Sequence, residues 1–194
     1  NLNSIDGNLT SVDEKKDTDL VLRLLRDKHT SPFEMVEFVF YIKLPIFVQR
    51  QVVRHRTASL NEHSGRYSEM KDEFFFPLEL RKQGTGNKQM SGSDIDKDGE
   101  ESRVVYTLCE KMKRETEDSY KGYKKMLELG VAREQARIFL PINIYTEMIW
   151  KMDLHNLLNF LRLRMAVDAQ PEVQFYACAI FILMFNYVPN VMKT

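Results

Sequence analysis

Ser31-Pro32-Phe33-Glu34-Met35-Val36-Glu37-Phe38-Val39-Phe40-Tyr41-Ile42-Lys43-Leu44-Pro45 carries two local signals that disagree. Ser31 to Glu34 reads as a capping box with proline at the first helical position, which predicts a helix. From Glu34 onward the period is two. Val36, Phe38, Phe40, Ile42 and Leu44 alternate with Glu37, Val39, Tyr41 and Lys43, and branched and aromatic residues dominate. The longer pattern outweighs the four-residue motif, so Glu34 to Leu44 reads as a strand. Pro45 then opens a helix, Ile46 to about His55, carrying Phe47, Val48, Val52 and Val53.

A second β-prone stretch, Ile142 to Met152, holds Ile144, Tyr145, Ile149 and Trp150 and is expected to pair with the first. Around these two strands the periodicity is helical. Thr18 caps a short helix through His29, with Leu20, Leu24 and Leu25 on one face. A long amphipathic helix runs from about residue 102 to Leu129, with Val105, Leu108, Met112, Tyr120, Tyr123 and Leu127 inward and Gly130 as C-cap. Ala132 to Phe139 is a short helix stopped by Pro141, and Leu154 to Val167 and Pro171 to Tyr187 close the chain. Residues 1–17 read as a polar loop or tail and 83–102 as a flexible loop. The order predicts an α+β fold, a small mostly antiparallel sheet packed with long helices, in one domain over 1–194 without internal repeats.

Composition narrows the function classes. The 194 residues are 43% apolar and 29% charged, with 28 basic and 28 acidic side chains, which excludes a disordered chain, a collagen repeat and a disulfide scaffold. Net charge zero argues against a nucleic-acid coat. The longest apolar run, Phe175 to Phe185, has eleven residues, where a membrane span needs roughly 18 or more. No signal-peptide pattern opens the sequence, so a cytoplasmic protein is expected, or one in the host-cell cytoplasm if viral.

Several motifs carry nothing further. Asp94-Ile95-Asp96-Lys97-Asp98-Gly99 opens like an EF-hand loop, but Glu101 and Val105 stand where an apolar residue and a bidentate glutamate are required. Gly84-Thr85-Gly86 is a turn, and Asn8-Leu9-Thr10 has no meaning without secretion. Cys109 and Cys178 read as buried structural thiols, and His29, His55, His63 and His155 lack metal-ligand spacing.

One segment is different. Arg54-His55-Arg56-Thr57-Ala58-Ser59-Leu60-Asn61-Glu62-His63-Ser64-Gly65-Arg66-Tyr67 holds three arginines and no lysine, interspersed with hydroxyls, amides and a glycine. Fork-shaped donors, hydroxyls and free backbone N–H groups are what a phosphate site needs, and Gly65 allows close backbone approach. A surface ion-pair cluster is the other reading of the same residues. Downstream, Arg133 and Arg137 are one helical turn apart. Arg162 and Arg164 flank Leu163 on a mostly apolar helix, so at least one should face a buried or half-buried anion. Asn159 and Arg164 are about 140° apart around that helix and need not share a ligand.

The segment resembles the signature of the flavin-dependent thymidylate synthases (ThyX), Arg-His-Arg, seven residues and a serine: here Arg54-His55-Arg56, Thr57 to His63, and Ser64. His29-Thr30-Ser31-Pro32-Phe33-Glu34, Pro45-Ile46-Phe47-Val48, Gln51, Ala136-Arg137-Ile138 with Leu140-Pro141, Asn143 with Tyr145-Thr146, and Asn159-Phe160-Leu161 with Leu163-Arg164 follow in family order. Likeness covers about 18 to 185.

The resemblance implies reductive methylation of dUMP to dTMP. Methylenetetrahydrofolate is the carbon donor, NADPH-reduced FAD the hydride source, and the obligate homotetramer has its sites between subunits, with no nucleic-acid or membrane partner. By position it implies dUMP contacts for Gln51, Arg54, Glu62, Ser64, Gly65, Arg66, Arg137 and Arg164, and FAD contacts for Ser31, Arg54, His55, Arg56, Glu62, Asp153, His155 and Asn159. Arg164 matches the catalytic arginine that favours ionisation at N3 of the uracil. Asp153-Leu154-His155 departs from the Asn-x-Arg of many members, and Asp168 stands where they carry histidine. No cysteine lies in a phosphate-binding segment, as a route without a thiol nucleophile requires; Ser64 is a binding group with no evident base. A non-catalytic nucleotide- or RNA-binding module on the same arginines is the alternative, expected to be colourless and strongly salt-dependent.

Overall fold

The computed structural model describes residues 14–86, 90–95 and 99–192. Both signals at the opening stretch are realised. Ser31–Glu34 forms a one-turn helix (α2) and Glu37–Pro45 forms strand β1. The strand begins three residues later than the alternation suggests, because the helical turn occupies its first positions. The capping box is not formed as read: Thr30 is the N-cap, and its hydroxyl donates to the Glu34 carboxylate at 2.9 Å.

β1 pairs antiparallel with β5 (Tyr145–Asp153) in unbroken register from Glu37↔Asp153 to Pro45↔Tyr145, as expected for the two β-prone stretches. Alternation puts Ile42, Leu44, Met148, Trp150 and Met152 on the inner face. Helices α3 (Ile46–Val52), α6 (Leu154–Arg164) and α7 (Pro171–Phe185) supply Val48, Val52, Leu157, Phe160, Val173 and Ala177 to the same core. Trp150 and Phe160 meet edge to face at 5.1 Å between centroids. A third strand, β2 (Ser59–Glu62), joins the free edge of β5. Arg-Thr-Ala-Ser-Leu-Asn-Glu has no alternation to announce it; the open ladder of β5 makes it a strand.

A second apolar cluster gathers Met70, Tyr123, Ala136 and Ile144 under α4 (Glu100–Glu128). The Tyr123 hydroxyl accepts from the Met70 N–H at 2.9 Å, and the Tyr120 hydroxyl donates to the Met70 carbonyl at 3.0 Å. Gly130 ends α4 with φ of 79°, the left-handed conformation expected of its C-cap role.

Other expectations are corrected. Helix α1 (Glu14–Arg26) begins inside the stretch read as tail, so Thr18 is a helical residue; its hydroxyl accepts from the Asn190 amide of α8 (Pro189–Met192) at 2.8 Å. Residues 1–13, including Asn8-Leu9-Thr10, lie outside the described residues. The expected loop at 83–102 contains the end of a two-stranded hairpin, β3 (Arg81–Gln83) with β4 (Ser91–Asp94), and the first turn of α4. Asp96 to Asp98 of the EF-like run fall outside the described residues. The expected Ala132–Phe139 helix is α5 (Arg133–Ala136) followed by a 3-10 turn, Arg137–Phe139.

Two burial expectations also fail. Leu20 and Leu108, expected inward, are exposed, and Cys178 is exposed rather than buried. In α7 the apolar residues run all round the helix. Val173, Ala177, Ile180 and Met184 face the core, which leaves Phe175, Cys178 and Ile182 outside. No helix among the described residues is long and apolar enough to cross a membrane.

Candidate active site

The expected site residues include one fixed carboxylate, two groups of contacting side chains and a separate groove. Glu62 sits at the end of β2. Its Oε2 accepts from Gln49 Nε2 and its Oε1 from the Thr146 hydroxyl, both at 2.9 Å. Gln49 and Thr146 are 4% and 2% exposed, so two buried donors hold a half-buried anion in one orientation. Sequence reasoning missed both, although a glutamine within an otherwise apolar helical turn is a visible irregularity.

The first group lies where the end of α3 meets α6. Arg164 Nε donates to His55 Nε2 at 3.0 Å, and Nη2 to the Gln51 carbonyl at 3.4 Å. His55 stacks edge to face on Phe160 at 4.9 Å. Because Nε2 accepts, the imidazole is neutral with its proton on Nδ1. Burial and then the nearby Arg164 charge lower the His55 pKa, which keeps it so. Burial also lowers the pKa of Arg164, which arginine tolerates without losing its charge. Among the described residues no carboxylate pairs with Arg164. It is a half-buried cation held by two neutral acceptors; the anion expected to face one arginine of the Arg162–Leu163–Arg164 run is not a side chain among the described residues. Arg162 is exposed and donates to Asn159 at 3.0 Å.

The Gln51 carboxamide donates from Nε2 to Gln170 Oε1. Gln170 in turn donates to Glu172 Oε2 at 2.8 Å, and Arg81 Nη2 sits 2.7 and 2.8 Å from the two Glu172 oxygens. Sequence reasoning missed all three residues, because two elements far apart in the chain bring them to Gln51.

The second group surrounds Gly65. A Cβ there would meet Met70 Sδ at 3.1 Å and Arg137 Cδ at 3.4 Å, so the Arg137 side chain packs closely against this glycine. The Arg66 N–H donates to the Ser64 hydroxyl at 3.3 Å, and the Arg66 guanidinium pairs with Glu134 at 3.2 Å. Arg133 does not share the Arg137 position: it lines a separate recess with Lys124 and Gly130. No hydrogen bond or ion pair among the described residues joins this group to Arg164. Arg54 and Arg56 are exposed, free of such bonds among the described residues.

His155 and Asn159 line a groove of about 310 Å³ together with Leu24, Phe33, Leu158 and Arg162. Its apolar floor and rim of donors suit a ring system carrying anionic groups. Ser31 is exposed in α2, beside the groove residues Thr30 and Phe33. Asp153 is engaged within its own helix. Its Oδ1 accepts from the Asn156 N–H at 2.9 Å and its Oδ2 from the Asn156 side chain at 2.8 Å, capping α6. A larger recess, about 910 Å³ between Lys43, Phe74, Tyr120 and Tyr145, contains none of the expected residues.

The arrangement coincides with a known family over nearly the whole chain. Residues 3–190 match the model of the thymidylate synthase complementing protein family, Thy1. The chain belongs to this family. The flavin-dependent thymidylate synthase of Thermus thermophilus is 50% identical over 176 residues, 90% of this chain and 62% of that protein. The one from Dictyostelium discoideum is 47% identical over 178 residues, 90% of this chain and 56% of that protein. The chain thus spans about three fifths of the length of these Thy1 relatives. Among solved structures, the UMP/dUMP methylase PolB from Streptomyces cacaoi bound with 5-Br UMP superposes with a TM-score of 0.80 at 29% identity, covering 94% of this chain and 83% of that one. The same methylase bound with 5-Br dUMP gives 0.80 at 30% identity, covering 97% and 82%. The Thy1 fold is therefore the helix-rich α+β arrangement with a small antiparallel sheet described above.

Proposed function

We propose that this Thy1 chain forms, as one catalytic unit, a flavin-dependent thymidylate synthase that converts dUMP to dTMP, with methylenetetrahydrofolate as carbon donor and NADPH as reductant. The observation that carries the reading is Arg164, a half-buried guanidinium whose partners, His55 and the Gln51 carbonyl, are neutral. Partial burial of a cation without a counter-charge carries a cost, and an anionic ligand relieves it. A uracil polarised toward its N3/O2 anion is such a ligand, and preorganised donors of this kind stabilise developing charge at no cost in reorganisation.

The remaining residues divide the work. Gly65, Ser64, Arg66 and Arg137 offer close backbone approach, a hydroxyl and two guanidinium groups to the nucleotide, and Arg54 and Gln51 flank them. Glu62, pinned by Gln49 and Thr146, is a rigid acceptor between nucleotide and flavin. His155, Asn159, Ser31, His55, Arg54 and Arg56 would hold FAD, the first two through the groove beside α6. When bound, FAD supplies the two electrons that NADPH delivers. Asp153 orients α6 and hence His155, Asn159 and Arg164.

The reading includes a homotetramer in which each site combines residues of two copies. Exposed apolar residues on α7 (Phe175, Ile182, Phe185) and on the outer sheet face (Val39, Tyr41, Ile149) supply surface for such contacts. The purified protein is expected to be yellow and to bleach when NADPH is added. A colourless protein that cannot be reconstituted with FAD would overturn the reading.

A further inference from the structure

Gln170, Glu172 and Arg81 form a hydrogen-bonded chain that, among the described residues, meets the candidate site at Gln51. Their chemistry has a direction. A carboxylate only accepts hydrogen bonds, so Gln170 must turn its amide nitrogen to Glu172 and its oxygen to Gln51. Gln51 must then present nitrogen to Gln170, which leaves Gln51 Oε1 as the acceptor on the other side of the carboxamide.

Glu172 is kept ionised for this. Burial, the largest single influence, would raise its pKa. The hydrogen bonds from Arg81 and Gln170 and the Arg81 charge outweigh that and hold it below the usual carboxylate range. Its place in the first turn of α7 adds the favourable helix-terminal field. Gln51 is tied at its backbone as well, through the Arg164 bond to its carbonyl.

We propose that Arg81, Glu172 and Gln170 are positioning residues that fix the Gln51 carboxamide oxygen toward the nucleotide. On this assignment Gln51 reads a hydrogen-bond donor of the base or sugar, whereas the guanidinium groups hold the phosphate. The assignment rests on the nucleotide-binding reading above.

The test uses the full chain. In Glu172→Gln, position 172 can donate as well as accept, so the order of the amides is no longer dictated. Affinity for dUMP should weaken about tenfold, the worth of one well-placed hydrogen bond. Affinity for inorganic phosphate and FAD content should stay at wild-type values. Gln170→Glu combined with Glu172→Gln places a pure acceptor against both amides, restores the Gln51 orientation and should recover the dUMP affinity, which a merely structural role would not do. Unchanged dUMP binding in the single variant, an equal loss for inorganic phosphate, or no recovery in the double variant would each overturn the assignment.

A second measurement needs no nucleotide. The Gln51 side-chain amide signal, identified by its loss in Gln51→Ala, should show slowed hydrogen exchange in the wild type and lose that protection in Glu172→Gln. Absence of protection in the wild type overturns the positioning chain. A wild type that shows the protection yet binds neither dUMP nor FAD overturns the functional reading and with it the role given to Gln51.

Discussion

Arg164 and Arg66 belong to the same candidate site but occupy opposite electrostatic situations. Arg66 is 57% exposed and its charge is met by Glu134, itself 54% exposed, at 3.2 Å. Arg164 is half-buried and, among the described residues, its guanidinium bonds an imidazole nitrogen and a carbonyl. A solvated, paired arginine can contribute affinity and register but little field, because water and its carboxylate screen it. A desolvated arginine between neutral acceptors keeps its charge for whatever enters beside it. On the function proposed above, the contrast would give electrostatic work on the base to α6 and phosphate holding to the Gly65 turn.

The largest expected effect tests that contrast directly. Arg164→Ala should lower dTMP formation by about 100-fold or more, the range for removing a preorganised charge donor, while FAD remains bound. Arg164→Lys should recover little, since an ammonium cannot bond His55 and the Gln51 carbonyl together. Steady-state rates with absorbance at the flavin band measure both, and near-normal turnover in Arg164→Ala would break the comparison. Arg66→Ala should weaken dUMP binding by about tenfold and leave the rate at saturation almost unchanged. Its folding stability should move by less than about 1 kcal/mol, because an exposed ion pair contributes little. If Arg66→Ala loses as much turnover as Arg164→Ala, burial is not what separates the two arginines.

The smallest effect concerns pH. The His55 pKa is lowered in the folded state, first by burial and then by Arg164, relative to about 6.5 in the unfolded chain. Between those two values the unfolded chain binds the extra proton, so the contribution is fully favourable above about 6.5 and is lost as pH falls through the folded-state value. Protonation also removes the lone pair that accepts from Arg164. The melting temperature should therefore fall more steeply below neutral pH in the wild type than in His55→Gln, as read by thermal denaturation at a series of pH values. Parallel curves would show that His55 is not held neutral by this contact.

The legibility of these features differs by kind. β1 and β5 are visible as period-two runs, and their pairing follows from their being the β-prone stretches. The short helix at Ser31–Glu34 is visible too, but weighing one motif against the other hides it, because the chain adopts both in succession. β2 is invisible, since Ser59 to Glu62 becomes a strand only by completing the edge of β5. Cys178 cannot be placed from its neighbours because an all-apolar helix has no polar face to orient it. The signature Arg54 to Ser64 and its flanking blocks point to the family, which the match over residues 3–190 bears out.

A charge balance of 28 against 28 conceals a segregation that the sequence already contains: arginine concentrated in Arg54–Arg66 and on the segments of Arg137 and Arg164. Sequence alone determined which side chains could hold an anion, the two main strands and most helices, because periodicity and residue type are local properties. Tertiary structure alone decided which arginine is desolvated, which histidine accepts from it, and that Asp153 serves as a helix cap. It also decided that Gln51 is oriented from Arg81, Glu172 and Gln170. Burial and hydrogen-bond partnership depend on residues more than a hundred positions apart, 109 between His55 and Arg164 and 119 between Gln51 and Gln170. No local pattern encodes a distance of that kind.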